Sequence, residues 1–148
     1  MRITFVCLGN ICRSPMAEFI CKDLVKKINK EKMYNITSCG TSGYHDGEDM
    51  HIGTKKMLNL KSIASKGFVS KKINKSLFEQ SDIIFVMDDS NYKDVITKFG
   101  HDSKIKKITD YSSFKHINHV PDPWYTDNFD ETYEILNDCI SNFINSIE

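Results

Sequence analysis

The chain has no long hydrophobic run, no net charge and only one tryptophan. Nothing in it approaches the roughly 18 consecutive apolar residues of a membrane-crossing helix, so a membrane partner is not expected. Twenty basic residues balance twenty acidic ones. Without a surplus of one sign there is no overall field to gather nucleic acid or an anionic lipid surface. Met1-Arg2 leads into an apolar stretch of about five residues, too short for the core of a secretory signal. Five cysteines make an odd number without regular spacing, which argues against a disulfide framework. The expected setting is cytoplasmic, with reduced thiols of which one can be reactive while the others fill core positions. No repeat or linker interrupts the chain, so residues 1–148 are read as one domain, expected to act as a monomer.

What is present is an ordinary globular balance, 40% hydrophobic and 27% charged over 148 residues, enough to bury a core. Ile3 to Val6 is a short apolar run of the kind that forms a strand covered on both faces. From Ser14 the period changes, with Ala17, Ile20, Leu24 and Ile28 recurring every three or four residues. Ser14-Pro15 suits a helix N-cap and first helical position. Asn35 to Ser38 reads as a second strand, running into Cys39-Gly40-Thr41-Ser42-Gly43-Tyr44. A lysine-rich helix is predicted over about 50–60. Asp82 to Met87 is a buried strand, followed by an Asp88-Asp89-Ser90 cap and a helix to about Phe99. Lys104 to Ile108 reads as a fourth strand, and Tyr111 to Asn128 as a polar, proline-containing loop. Phe129, Tyr133, Leu136, Ile140, Phe143 and Ile147 mark a closing amphipathic helix. Strands alternating with helices predict an α/β fold, a four-stranded parallel sheet with helices on both faces. Such sheets place ligands beyond the carboxyl ends of their strands, where Cys7, Ser38 and Asp88 fall.

The chemistry is concentrated in Cys7-Leu8-Gly9-Asn10-Ile11-Cys12-Arg13-Ser14. Thiols attack as thiolates, and an ordinary cysteine with pKa about 8.5 is mostly protonated at neutral pH. Here a strand ends on Cys7 just before a helix start, whose unpaired N–H groups and positive dipole end favour an anion. Arg13 adds a permanent cation, and the Ser14 hydroxyl can donate to sulfur. The same parts form a phosphate cradle, since a guanidinium grips two phosphate oxygens side by side. Gly9 and Asn10 most easily take the left-handed angles that such a loop requires. A nucleophile at the base of a phosphate cradle points to phosphoryl transfer through a cysteinyl-phosphate intermediate. The plainer alternative is a buried structural cysteine beside a surface arginine.

This stretch, continued by Pro15, resembles the signature loop of the low-molecular-weight protein tyrosine phosphatases. Thr41-Ser42-Gly43-Tyr44, Met87-Asp88-Asp89-Ser90-Asn91 and Asp122-Pro123-Trp124-Tyr125 resemble later segments of that family, in the same order. The likeness runs over nearly the whole chain. It implies a Rossmann-like fold and hydrolysis of phosphotyrosine and small aryl phosphates, with acid phosphatase activity and no cofactor or metal. Phosphate, sulfate and vanadate are the implied site ligands.

The resemblance assigns Cys7 as nucleophile, Arg13 as phosphate ligand and Asp122 as general acid and then base. On its own, Asp-Pro reads as a turn starter. Protonating the departing phenolate nonetheless calls for one positioned carboxylic acid. Tyr44, Trp124 and Tyr125 are the expected pocket walls, since a phosphotyrosine ring needs a deep slot with aromatic sides. Tyr125 is also a phosphorylation site by resemblance. The family's loop asparagine is held by a network that includes a serine, positions matched by Asn10 and Ser38. The family histidine in that network has no counterpart, and Ser65 aligns there. Cys12 is implied as a redox partner that traps an oxidised Cys7 as a disulfide; as a residue it reads equally as a small apolar plug. Cys21, Cys39 and Cys139 read as core.

Two other functions fit parts of the pattern. Arsenate reduction uses the same loop but needs further thiols after the third strand, and Asp82 to Gly100 contains no cysteine. A phosphotyrosine-binding module without catalysis would not need Cys7, Arg13 and Asp122 together. His116, His119 and Asp122 have a metal-like spacing, but they share a loop and lack a fourth ligand, so no metal is expected.

Overall fold

The computed structural model describes all 148 residues. β1 (Arg2–Cys7) leads to α1 (Arg13–Lys27), then β2 (Asn35–Gly40), α2 (Ile52–Leu60), α3 (Lys75–Gln80), β3 (Ile83–Val86), α4 (Asp89–Phe99), β4 (Ile105–Lys107), α5 (Pro123–Thr126) and α6 (Phe129–Ile147). The strands form one sheet in the order β2-β1-β3-β4, every pair parallel. This is the α/β architecture expected from the alternation of periods.

Strand residues alternate between two cores. Ile3, Phe5, Cys7 and Phe85 face a large cluster with α1, α2 and α6, while Val6, Ile84, Val86 and Ile105 face a smaller one with α3 and α4. Phe5 and Phe85 stack at 5.7 Å, and Phe143 of α6 meets Phe85 edge-on at 4.8 Å. Burial on both faces explains why β1 and β3 read as continuous apolar runs. α1 is covered still more completely: every residue from Arg13 to Cys21 is buried. The polar members of that stretch therefore need internal partners.

The chain turns from β1 outward to β2 and later returns to place β3 on the other side of β1. Loops at the carboxyl ends of β1 and β3 diverge there, opening a crevice at the point where the strand order reverses. The Cys7–Arg13 loop occupies it.

Three local expectations are corrected. α1 starts at Arg13, with Cys12 at the N-cap position and no side-chain cap; Ser14 is inside the helix, its hydroxyl turned toward the sulfur instead. The Tyr111–Asn128 loop contains α5, capped by Asp122, whose side chain accepts from the Trp124 N–H. α3 lies in a segment that gave no helical reading, and Asn74 caps it. Both helices have under two turns, too few for a period to show in the sequence.

Candidate active site

The loop between β1 and α1 is shaped by steric constraint from both sides. Asn10 takes the left-handed conformation, φ 55°, as Asn does more readily than other non-glycine residues. Gly9 does not; its lack of a side chain serves space instead. A Cβ there would sit 3.1 Å from the His45 ring. At Gly40 of β2 a Cβ would come within 2.8 Å of the Leu8 carbonyl oxygen and 3.2 Å of the Asn10 nitrogen. Because no side chain caps α1, its first-turn N–H groups remain available to an anion held above the loop.

Asn10 organises the buried side of the loop. Its Nδ2 donates to Ser14 Oγ at 2.8 Å and to Ser38 Oγ at 3.0 Å. The Lys71 N–H donates to its Oδ1 at 2.9 Å, and the Ser70 hydroxyl to its backbone carbonyl at 2.6 Å. Ser14 Oγ lies 3.0 Å from Cys7 Sγ. With its oxygen accepting from Asn10, the Ser14 hydroxyl directs its own proton toward sulfur. The sequence match of Asn10 with Ser38 is met by direct contact. The alignment of Ser65 into this network is not: Ser65 is buried, and Ser70 is the serine of that segment that reaches Asn10.

Arg13 is 3% exposed and is held by a different set. Its Nη1 donates to Asp88 Oδ2 at 2.7 Å and to the Val120 carbonyl at 2.9 Å, while Nη2 lies 3.5 Å from Asp122 Oδ2. Burial by itself would lower the guanidinium pKa. The Cys7 sulfur, Asp88 and Asp122 outweigh that, and the net direction is upward, so the charge is secure. The Val120 N–H donates to the Met87 carbonyl at 2.9 Å. The root of the Asp122 segment is thus tied to the end of β3, which closes the sequence gap between Asp122 and Cys7.

Cys7, Arg13 and Asp122 line one cavity of about 490 Å³, together with Leu8, Gly9, Ile11, Cys12, Ser42, Tyr44, His45, Trp124 and Tyr125. Every residue assigned by sequence to catalysis or to the pocket walls borders it, and Ser38 stands behind the loop. Tyr44 and Tyr125 are 85% and 79% exposed, so they form a rim and not a core. Sequence reading missed four contributors. Asp88 anchors Arg13, Ser70 secures Asn10, Glu18 accepts from the Ser38 hydroxyl at 2.6 Å, and His45 packs on Gly9. Only Asp88 left a trace, its position at a strand's carboxyl end.

All five cysteines are free and buried. Burial, then the neighbouring Cys7 and Asp122, push the Cys12 thiol up to about 12, against a smaller lowering by Arg13. Cys12 is therefore a protonated thiol over the physiological range. Burial likewise pushes Cys21, Cys39 and Cys139 to about 12, in keeping with core roles. His116 and His119 are exposed and belong to no cluster placed to hold a metal ion.

Residues 2–148 match the family model described as low molecular weight phosphotyrosine protein phosphatase. The low molecular weight protein-tyrosine-phosphatase YfkJ of Bacillus subtilis is 35% identical, over 99% of this chain and 95% of its own. Its crystal structure superposes with a TM-score of 0.95, covering 99% of this chain and 94% of that one. PtpA of Staphylococcus haemolyticus, named as a phosphatase of the same kind, is 39% identical over 98% and 92%. A protein tyrosine phosphatase of Entamoeba histolytica, solved with Hepes in its active site, gives a TM-score of 0.91 at 31% identity, over 99% and 96%.

Proposed function

The chain belongs to the low molecular weight phosphotyrosine protein phosphatase family, and from that premise we propose that Cys7, Arg13 and Asp122 carry out its reaction. It is a protein-tyrosine phosphatase, a hydrolase of phosphotyrosine. The carrying observation is the convergence of those three side chains on one cavity. The phosphate dianion binds over the α1 N-terminus and Arg13 Nη2. Nη1 is already committed to Asp88 and Val120, so the free face of the guanidinium is the Nη2 side. There the anion replaces the long 3.5 Å contact to Asp122, releasing that carboxyl to face the leaving oxygen.

The Cys7 thiolate attacks phosphorus, the P–O bond to the tyrosine ring breaks, and Asp122 gives its proton to the departing oxygen. Water then attacks the cysteinyl phosphate while Asp122 takes its proton. The P–S bond breaks, and the thiolate leaves against the Ser14 hydroxyl. Arg13 and the loop amides hold the equatorial oxygens through both transition states. Leu8, Gly9, Ile11 and Cys12 complete the phosphate-binding loop. Tyr44, Trp124 and Tyr125 grip the aromatic ring.

Small aryl phosphates follow the same route without metal or cofactor, and phosphate, sulfate and vanadate compete for the loop. The protein acts as a cytoplasmic monomer. Under peroxide, Cys7 forms a sulfenic acid; the Cys12 thiol displaces water from it to give a disulfide that thiols reverse.

Hydrolysis of p-nitrophenyl phosphate tests this. Turnover should be abolished by Cys7→Ser, blocked by vanadate and unaffected by a chelator. Full activity in Cys7→Ser, or loss on chelation, would overturn the mechanism.

A further inference from the structure

A carboxylate that never meets substrate ends the hydrogen-bond chain behind the nucleophile. Glu18 is 6% exposed, on the inner face of α1, and its Oε1 accepts from Ser38 Oγ at 2.6 Å. We infer that Glu18 is a positioning residue for Cys7, acting through Ser38, Asn10 and Ser14. The inference rests on the reading of Cys7 as nucleophile.

The donors and acceptors leave one consistent arrangement. An ionised carboxylate can only accept, so the single Ser38 proton goes to Glu18. Ser38 Oγ must then accept from Asn10 Nδ2, which is what the 3.0 Å contact requires. The other N–H of the same amide goes to Ser14 Oγ at 2.8 Å. That leaves the Ser14 proton for Cys7 Sγ at 3.0 Å, closer than its other acceptor, the Cys39 carbonyl at 3.4 Å. Asn10 is thus a double donor between two serines, and each serine donates to an anion: Glu18 at one end, the Cys7 thiolate at the other. The Lys71 N–H on Asn10 Oδ1 fixes the same orientation of the amide.

Removing Glu18 would leave the Ser38 proton without its acceptor in a buried place. Ser38 would have to rotate, and Asn10 would lose one of the bonds that hold it in its left-handed conformation. The charged groups around the chain are few. Lys22 Nζ lies 2.6 Å from Glu18 Oε2 and is 45% exposed, so it screens Glu18 without sealing it. Lys71 Nζ is directed to the Thr37 hydroxyl, and Lys66 borders the same surface recess as Glu18. Around Cys7 itself stand Arg13, Cys12, His45 and Asp122 in the cavity and the buried Cys39 thiol behind the loop, with Asp88 reached through Arg13. Glu18 makes its hydrogen bond and its ion pair to Ser38 and Lys22 instead.

The test measures kcat, KM and the pH dependence of iodoacetate inactivation for Glu18→Leu, Glu18→Gln, Ser38→Ala and the combinations with Ser38→Ala. Labelling is located on Cys7 by peptide mass, and melting curves confirm folding. Glu18→Leu should lower kcat about tenfold with little change in KM, the scale of one lost buried hydrogen bond. It should also move the acid limb of Cys7 inactivation to higher pH. Glu18→Gln, whose carbonyl still accepts from Ser38, should restore most of both. Ser38→Ala should reproduce Glu18→Leu, and adding either Glu18 variant to it should cost nothing further. An unmoved acid limb, a Gln variant as poor as Leu, or additive losses in the double variants would overturn the inference. Should Glu18→Leu fail to fold, Glu18→Ala takes its place, singly and with Ser38→Ala, and the same non-additivity decides it. Iodoacetate inactivation that does not label Cys7 would defeat the nucleophile assignment instead, a separately visible failure.

Discussion

The floor and the rim of the cavity are built to opposite rules. On the floor, Cys7, Asn10, Arg13 and Ser14 are all under 4% exposed, and each has a named partner that fixes its direction. On the rim, Tyr44, Trp124 and Tyr125 are more than half exposed. Tyr44 and Trp124 share the His45 ring, at 4.9 and 6.0 Å, and His51 lies 5.7 Å from Trp124. The difference separates two tasks. Charge developing on a transferring phosphoryl group is best met by dipoles fixed in advance, whereas an aromatic ring entering from solvent needs surface and shape. Asp122 belongs to both regions: one oxygen caps α5 and the other faces Arg13.

Substitutions that exchange these rules should have graded effects. Arg13→Lys keeps the charge and loses the fork that spans Asp88, Val120 and phosphate. It should lower kcat on the order of 100- to 1,000-fold; steady-state kinetics showing under a fivefold loss would mean the floor does not depend on that fork. Asp122→Ala should lower kcat/KM, which reports the step that releases the phenol, roughly 100-fold for phenyl phosphate but under about tenfold for p-nitrophenyl phosphate, because a good leaving group needs little proton donation. A leaving-group series with equal losses would remove Asp122 from that role. Trp124→Ala should raise KM about two- to tenfold with kcat nearly unchanged, the scale of one aromatic contact; a kcat effect as large as that of Arg13→Lys would dissolve the distinction between floor and rim.

The smallest effect concerns stability. Cys12, Cys21, Cys39 and Cys139 rise from an ordinary 9.0 to about 12 on folding, chiefly by burial. A thiol with a raised folded pKa stays protonated where the unfolded chain has already lost its proton. Its contribution is fully present below about pH 9 and is lost as pH rises from there toward 12. Urea midpoints should therefore hold up to about pH 9 and fall above it, with a shallower fall in Cys21→Ala. Equal slopes in the two proteins would contradict the burial argument.

How much was legible follows from where the determinants lie. Cys7, Arg13 and Ser14 are close in sequence and flank a change of hydrophobic period, so both the loop and its chemistry could be read directly. The paired cores made β1 and β3 plain, and the stripe on α6 held except at its end, where Ile147 is 38% exposed and Ile144 takes the buried place. What stayed hidden is long-range. The hold of Asp88 on Arg13 spans 75 positions and that of Ser70 on Asn10 spans 60, and no local pattern encodes either. Ser65 was aligned into the network because the segment between α2 and α3 has no period to set its register. Gly9 illustrates a subtler limit: the need for glycine was visible, but its cause is the His45 ring and not a backbone angle.

The central claim is that phosphate passes through the sulfur of Cys7. Rapid acid quench of Asp122→Ala during turnover of p-nitrophenyl phosphate, followed by peptide mass analysis, examines it directly, because that variant lacks the base for the second step. The expected result is one phosphoryl group on the peptide containing Cys7, absent when Cys7 is also replaced by serine. Phosphate on any other residue, or steady turnover with none on the protein, would contradict it.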